Sequence, residues 1–381
     1  MSTAVETDTK RPSRAFPAWM RLILGVIVVV GILLGFNHWI ESDSFLSNNS
    51  YQEGIIIDCG LAIILAVSLN LVNGFTGQFS LGHIGFYMIG AYIAAALTTY
   101  GHYKFFSQLP VDHTYGPLST LQSVGPVFGV CVAGGLAAAL AGLVVGLPSL
   151  RLKGDYLAII TVGFAQIISV VIRNIDAVKG STSFNGIDRM ISTSPGSPPQ
   201  DVFIATPHLT SFFWVYLCAA LVIWVSYSIR FSNHGIAFLT VRDDEVAAEA
   251  MGINTTRIKV LAFVLSAFFT GIAGSLYALY QTSLSNDAFS FQRGIDSVVM
   301  VVLGGLGSVS GVSIAAVLLT LVPEVLRAIE QYRLVVYPLL LIILMLARPQ
   351  GIFGREELSL TWLKAQFVGF LNMFQWRRRR G

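Results

Sequence analysis

Residues 54–72 read GIIIDCGLAIILAVSLNLV, an apolar run whose one formal charge is Asp58. A helix needs about 20 predominantly apolar residues to cross the hydrocarbon core of a bilayer. A helix on a soluble globule would instead keep one polar face. Eight more runs invite the same reading: 22–36, 79–99, 124–147, 154–172, 209–229, 260–280, 295–322 and 334–347. Helices satisfy every backbone donor and acceptor within the segment, as lipid demands. No ten-residue alternation of the kind that marks a membrane barrel is present. The expected fold is therefore all-α, a polytopic membrane helix bundle.

Composition agrees. The 381 residues are 54% hydrophobic and only 12% charged, with a mean hydropathy of +0.69. Soluble domains carry about 25% charged residues, so an ordinary soluble enzyme is excluded. The expected organisation is one membrane domain over 22–347, between a cytoplasmic N-terminal tail, 1–21, and a basic cytoplasmic tail, 348–381. A net charge of +3 is too small and scattered for a nucleic-acid footprint. Cys59, Cys131 and Cys218 lie in apolar runs without Cys-x-x-Cys spacing, which indicates neither a disulfide framework nor a metal site.

Orientation follows from where the cations sit. The run 22–36 is short and follows Lys10, Arg11, Arg14 and Arg21, as a signal peptide would, but no small-x-small cleavage site succeeds it, and His38-Trp39 suits an interfacial end. The run 295–322 is interrupted by Gly304, Gly305 and Gly307, which break or bend a helix. Were it to cross once, Lys and Arg would divide evenly between the two faces. Were it a pair of half-helices entering and leaving on one side, most cations, including those from Arg348 to Arg380, would be cytoplasmic. The positive-inside rule selects the second arrangement: eight full crossings, a re-entrant half-helix pair and both termini in the cytoplasm. Segment 173–208 then faces outside and segment 230–259 faces the cytoplasm. The terminal arginines anchor the tail at anionic headgroups or dock a cytoplasmic partner.

The chain has no Gly-Lys dipeptide and hence no Walker A loop, and it has neither His-Glu-x-x-His nor Gly-x-Ser-x-Gly. It is expected to be no enzyme, to bind no metal or cofactor, and to leave any ATP use to partner subunits. Two segments stand out. In 230–259, residues 240–252 read TVRDDEVAAEAMG, a short helix with Asp243, Asp244 and Glu245 in its first turn, good helix formers after them, and Gly252 as its stop. Small residues Ala247, Ala248 and Ala250 leave a face that another protein can approach closely. In 68–83, Asn70, Asn73, Thr76, Gln78, Ser80 and His83 crowd between two apolar runs without formal charge. Such groups need partners or a wet cavity at that depth, so they either bond a polar solute or stitch helices together. Gln166, in the middle of 154–172, is a further candidate for the solute path.

The loop resembles a known motif. Permease subunits of ABC importers carry a cytoplasmic Glu-Ala-Ala-x-x-x-Gly loop that docks on an ATPase. Ala247-Ala248-(x)3-Gly252 has that spacing, with Val246 in place of the Glu and Glu245 one position earlier. The form Arg242-Asp243-Asp244-Glu245 resembles branched-chain amino acid permeases of the LivM type. So do residues 68–83, 150–158, 185–187 and 302–308, which together with the loop run in order from about residue 60 to 351.

The resemblance implies an ABC importer permease for branched-chain or other neutral amino acids. Implied partners are two cytoplasmic ATPase subunits, a second related permease and an extracytoplasmic solute-binding protein, all at a bacterial-type inner membrane. Arg242 to Glu245, Ala247, Ala248 and Gly252 would be the ATPase-coupling residues, and Gly304, Gly305 and Gly307 a helix break or gate. Related permeases serve urea importers, so urea or short amides remain an alternative cargo. A secondary transporter or channel working without an ATPase would also suit the glycine-broken 295–322, although no midplane carboxylate or Lys/His relay for ion coupling is evident.

Overall fold

A computed structural model describes residues 50–101, 124–149, 155–175, 184–185, 212–281 and 283–347, with positions 31, 35 and 351. The two tails, most of the 22–36 run, and segments 176–183 and 186–211 lie outside the described residues. Eleven α-helices are found among the described residues: α1 (Ser50–Asn70), α2 (His83–Gly101), α3 (Val124–Ser149), α4 (Asp155–Arg173), α5 (Phe212–Arg230), α6 (Asn233–Asp243), α7 (Glu245–Ala250), α8 (Thr255–Tyr280), α9 (Phe291–Gly304), α10 (Val309–Val325) and α11 (Glu330–Ala347). The sole departure from an all-α chain there is a two-residue antiparallel pair, β1 (Phe184–Asn185) with β2 (Ser283–Leu284), which ties the 173–208 segment to the α8–α9 connection. Five described helical stretches are long and apolar enough to cross a membrane: Tyr51–Phe75, Val127–Leu147, Tyr156–Arg173, Phe212–Arg230 and Thr255–Tyr280.

Helices α1 and α8 form the centre. Leu69, Leu71, Phe75, Phe269, Leu276 and Leu279 are fully enclosed in one contiguous core. Lipid is as apolar as leucine, so such helices associate through close packing and hydrogen bonds. Small residues permit the approach: a Cβ on Gly90 of α2 would fall 2.1 Å from the Gly271 carbonyl of α8, and one on Gly274 would fall 2.0 Å from the Tyr87 carbonyl. Ser275 Oγ donates to the Gly90 carbonyl across the same seam at 3.2 Å. Helices α3 and α4 lie at the rim and show Leu140, Val144, Ile159, Ile167 and Val170 at their outer faces, where lipid or a partner subunit would cover them.

The glycine-rich run divides as expected, into α9 and α10 with a break at 305–308. The two helices fold back on one another: Leu303 packs with Ala315 and Leu319 beside Val299 and Met300, and Gly304 abuts Val312. Both far ends of the pair lie at one end of the bundle, where Phe289 meets Tyr277 and Tyr87 and where Tyr51 bonds Glu324. The break lies at the opposite end, beside Arg230 and Arg242. At 14 and 17 residues the helices span about 21 and 25 Å at 1.5 Å per residue, less than the roughly 30 Å of a bilayer core.

Candidate functional site

The polar stretch begins where α1 changes its winding. Residues Leu71–Phe75 form one π-helical turn, a feature frequent at functional sites because it re-aims the backbone. It brings Gly74 against the α9–α10 break so closely that a Cβ there would lie 2.0 Å from Asn70 Oδ1 and 2.6 Å from the Gly307 nitrogen. The Asn70 amide brackets that break. Its Oδ1 accepts from Gly307 N at 2.9 Å, and its Nδ2 donates to the Ser308 carbonyl at 3.3 Å. Gly305 and Gly307 take φ of 101° and 90°, a region that side chains with a Cβ rarely enter. Ser308 then caps α10 by accepting from Gly311 N.

Two cations reach this junction from the surface helices. Arg242, in the last turn of α6, donates from Nη1 to the Gly74 carbonyl at 3.0 Å while its Nε and Nη2 hold Asp243 Oδ1. Arg230, at the end of α5, donates to the Gly307 carbonyl. Carbonyls released by a helix break inside a bundle need such donors. One residue of the loop therefore grips the π turn of α1, and its neighbour in space grips the α9–α10 break.

The loop is not the single helix expected over 242–252. Arg242 and Asp243 close α6, and Asp244 stands extended between two helices (φ −155°, ψ 110°). Its Oδ1 accepts from Val246 N at 2.9 Å and Ala247 N at 3.1 Å. A side chain that captures those N–H groups replaces the continuing helical bonds, so the expected first-turn acid is a cap between two helices. Helix α7 is locked to α8 by Lys259 Nζ on Glu245 Oε1 at 2.5 Å and by Thr255 Oγ1 donating to Glu249 Oε1 at 2.7 Å. Ala248 is fully buried beneath it, so only Ala247 and Ala250 of the small residues face outward. Val246 and Met251, 70% and 81% exposed, flank them. Gly252 takes φ +84° as the expected stop, with its N–H on the Glu249 carbonyl.

The remaining polar candidates sit in the same region. Asn73 closes the connection by accepting from Ser80 N at 3.0 Å and donating to the Ser80 carbonyl. Thr76 returns its hydroxyl to the Val72 carbonyl, and Gln78 is buried with its own N–H on Val72. His83 Nε2 lies 2.5 Å from Ser266 Oγ, Ser266 donates to the Ser68 carbonyl, and Ser68 Oγ meets Thr270 Oγ1 at 2.9 Å. Ser80 Oγ and His83 Nδ1 are buried without a hydrogen-bond partner among the described residues.

Gln166 stands apart, exposed on the outer face of α4 and outside this cluster. Sequence reasoning missed Arg230, Ser266 and Thr270. The last two are spaced four apart, on one helical face of an apolar run, a signal available in advance. No group of three or more His, Cys, Asp or Glu that could hold a metal occurs among the described residues.

The family described as branched-chain amino acid transport system, permease component, matches residues 51–347. The high-affinity branched-chain amino acid transport system permease protein LivM of Salmonella typhimurium is 34% identical over 325 residues, which cover 81% of this chain and 71% of that protein. LivM of Escherichia coli K12 is 33% identical over 324 residues, or 78% and 69%. The corresponding permease protein LivH of Salmonella typhimurium is 25% identical over 320 residues, or 81% and 95%. No solved structure matches the chain. With the helical bundle, the glycine break and the capped loop all inside the matched span, this chain belongs to the branched-chain amino acid transport system permease family.

Proposed function

We propose that the chain is the inner-membrane permease subunit of a binding-protein-dependent ABC importer for branched-chain and other neutral amino acids, and that α6 and α7 couple it to a cytoplasmic ATPase. In this reading the importer comprises two ATPase subunits, a second permease resembling LivH and a solute-binding protein outside. The chain crosses the bilayer eight times, with α9 and α10 entering and leaving on the outer side and both termini in the cytoplasm. Support for the pair comes from its two far ends lying together and its break lying at the α6 end.

The observation that carries the coupling role is Arg242. An ATPase that contacts Val246, Ala247, Ala250 and Met251 differently in its two nucleotide states moves α7, and only such differential contact delivers nucleotide energy to the bundle. Through the Asp244 cap that motion reaches Arg242, and through Arg242 it reaches the π turn of α1 beside the α9–α10 break. Alternating access follows from moving the two helix breaks as one unit.

The test is gentle detergent purification from the native host with mass spectrometry of co-purifying chains, then uptake with labelled leucine and labelled urea. An ATPase pair with a second permease and leucine uptake is the expected result. Recovery of the chain alone, from a preparation that retains other complexes, would shift the reading to a transporter working without an ATPase. Urea uptake in place of leucine would change the cargo.

A further inference from the structure

At the other end of the bundle, between α1, α9, α10 and α11, lies a cavity of about 770 Å³. Its walls carry opposite charges: Asp58 from α1, and Arg293 and Asp296 three residues apart on α9. Among the described residues neither carboxylate makes an ion pair. Asp296 accepts only a long hydrogen bond from Gln292 Nε2 at 3.4 Å. Arg293 is positioned without a carboxylate: its Nη1 donates to the Ala288 carbonyl at 3.1 Å, and its guanidinium lies 5.0 Å from the centroid of the Tyr277 ring. Leu61, Leu65, Met300 and Leu319 give the wall an aliphatic part, beside Tyr87, Ser297 and Thr320.

Charges at membrane depth are costly and mark solute paths when they face a cavity. A fixed guanidinium suits a carboxylate, and two carboxylates suit an ammonium. Those two groups belong to one zwitterion when an aliphatic side chain is received by the aliphatic part of the wall. We propose that this cavity is the outward-facing reception site for a branched aliphatic α-amino acid, with its carboxylate on Arg293 and its ammonium at Asp58 and Asp296. The site sets the cargo chemistry of the importer reading and rests on that reading for its place in transport. It gives urea, which has no charge, and simple amines or acids, which have one, no reason to be held.

The test uses the assembled complex in nanodiscs without the binding protein, and Thr320→Cys on the cavity wall, where Thr320 is half-buried. Labelling by a membrane-impermeant thiol reagent is followed, with the Cys218→Ser chain, whose remaining Cys59 and Cys131 are buried, as background and blank. Leucine is expected to slow labelling at concentrations where isoamylamine, isovalerate and urea do not. Asp58→Asn or Arg293→Gln should weaken that protection by about tenfold or more, as loss of one charged hydrogen bond implies. Arg293→Lys, which keeps the charge, should weaken it less than Arg293→Gln.

The proposal is overturned if Thr320→Cys is unreactive, if leucine gives no protection up to its solubility limit, or if an analogue with one charge protects as well as leucine. Leucine uptake by the same complex with no protection refutes the cavity and leaves the importer standing. Protection of a chain that recruits no ATPase refutes the importer and leaves the cavity standing.

Discussion

At the scale of single residues, Arg242 and Asn70 divide the work of filling the two helix breaks. Arg242 supplies a donor to the Gly74 carbonyl, and Asn70 supplies both a donor and an acceptor to Gly307 and Ser308. Removing a partner from a buried backbone group costs about 1–3 kcal/mol. Arg242→Gln is therefore expected to leave insertion and ATPase recruitment intact while lowering leucine uptake about tenfold, for a loss near 1.4 kcal/mol in coupling. ATP hydrolysis by the variant complex should continue, so the ratio of solute imported to ATP hydrolysed is the measurement to make. An unchanged ratio would mean that Arg242 merely braces the fold. Gly74→Ala meets both the Asn70 amide and the Gly307 backbone nitrogen, and the backbone cannot swing aside. It is expected to lower the thermal stability of the detergent-solubilised protein, by about 1–3 kcal/mol for overpacking.

At the scale of elements, α6 and α7 are joined at the Asp244 cap, which would be the joint of the proposed coupling lever. Replacing that cap costs about 0.5–2 kcal/mol when the new residue is alanine and much less when it is serine or asparagine. Asp244→Ala should thus depress uptake and Asp244→Asn should restore most of it, read in the same vesicles. Gly252 lies in open space, so Gly252→Val is opposed by its left-handed backbone alone, at a cost of roughly 1–2 kcal/mol or more for a β-branched residue. Uptake at the level of the unsubstituted chain would remove Gly252 from the coupling unit.

Much of this element was legible in advance. Gly252 as a stop and the acids near a helix start follow from residue types in order, whereas Ala248, expected on the small-residue face with Ala247 and Ala250, is buried. The joint at Asp244 was not legible, because three consecutive acids suit a first turn equally well and only the backbone shows which of them caps. The face on which Gln166 stands was not legible, for a related reason. An amide in an apolar run declares its depth but not the face of the helix on which it stands, and here that face is the outer one.

At the scale of the whole molecule, the two proposed sites lie at opposite ends of the bundle. One holds the mixed-charge cavity and the Tyr87, Tyr277 and Phe289 ring cluster, and the other holds α6, α7 and both helix breaks. Asp287, with 94% of its side chain exposed, belongs to the first end, and Met251, 81% exposed, belongs to the second. In intact cells an impermeant thiol reagent is expected to label Asp287→Cys, and to label Met251→Cys only after the cells are opened. Labelling of both from one side would break the proposed topology.

Residue types in order were enough to determine a helical membrane protein, the positions of its apolar runs, the glycine break at 304–308 and a short loop helix stopped at Gly252. Each depends on local chemistry: burial of apolar side chains and backbone angles open to glycine. Only the tertiary structure decided that Arg242 reaches Gly74, 168 positions away in the chain, and that Asp58 shares a cavity with Arg293 and Asp296. Hydropathy reports how deep a residue lies. Which groups meet at that depth is set by the rotation and close approach of helices along seams such as Gly90 on Gly271, which no single run of sequence specifies.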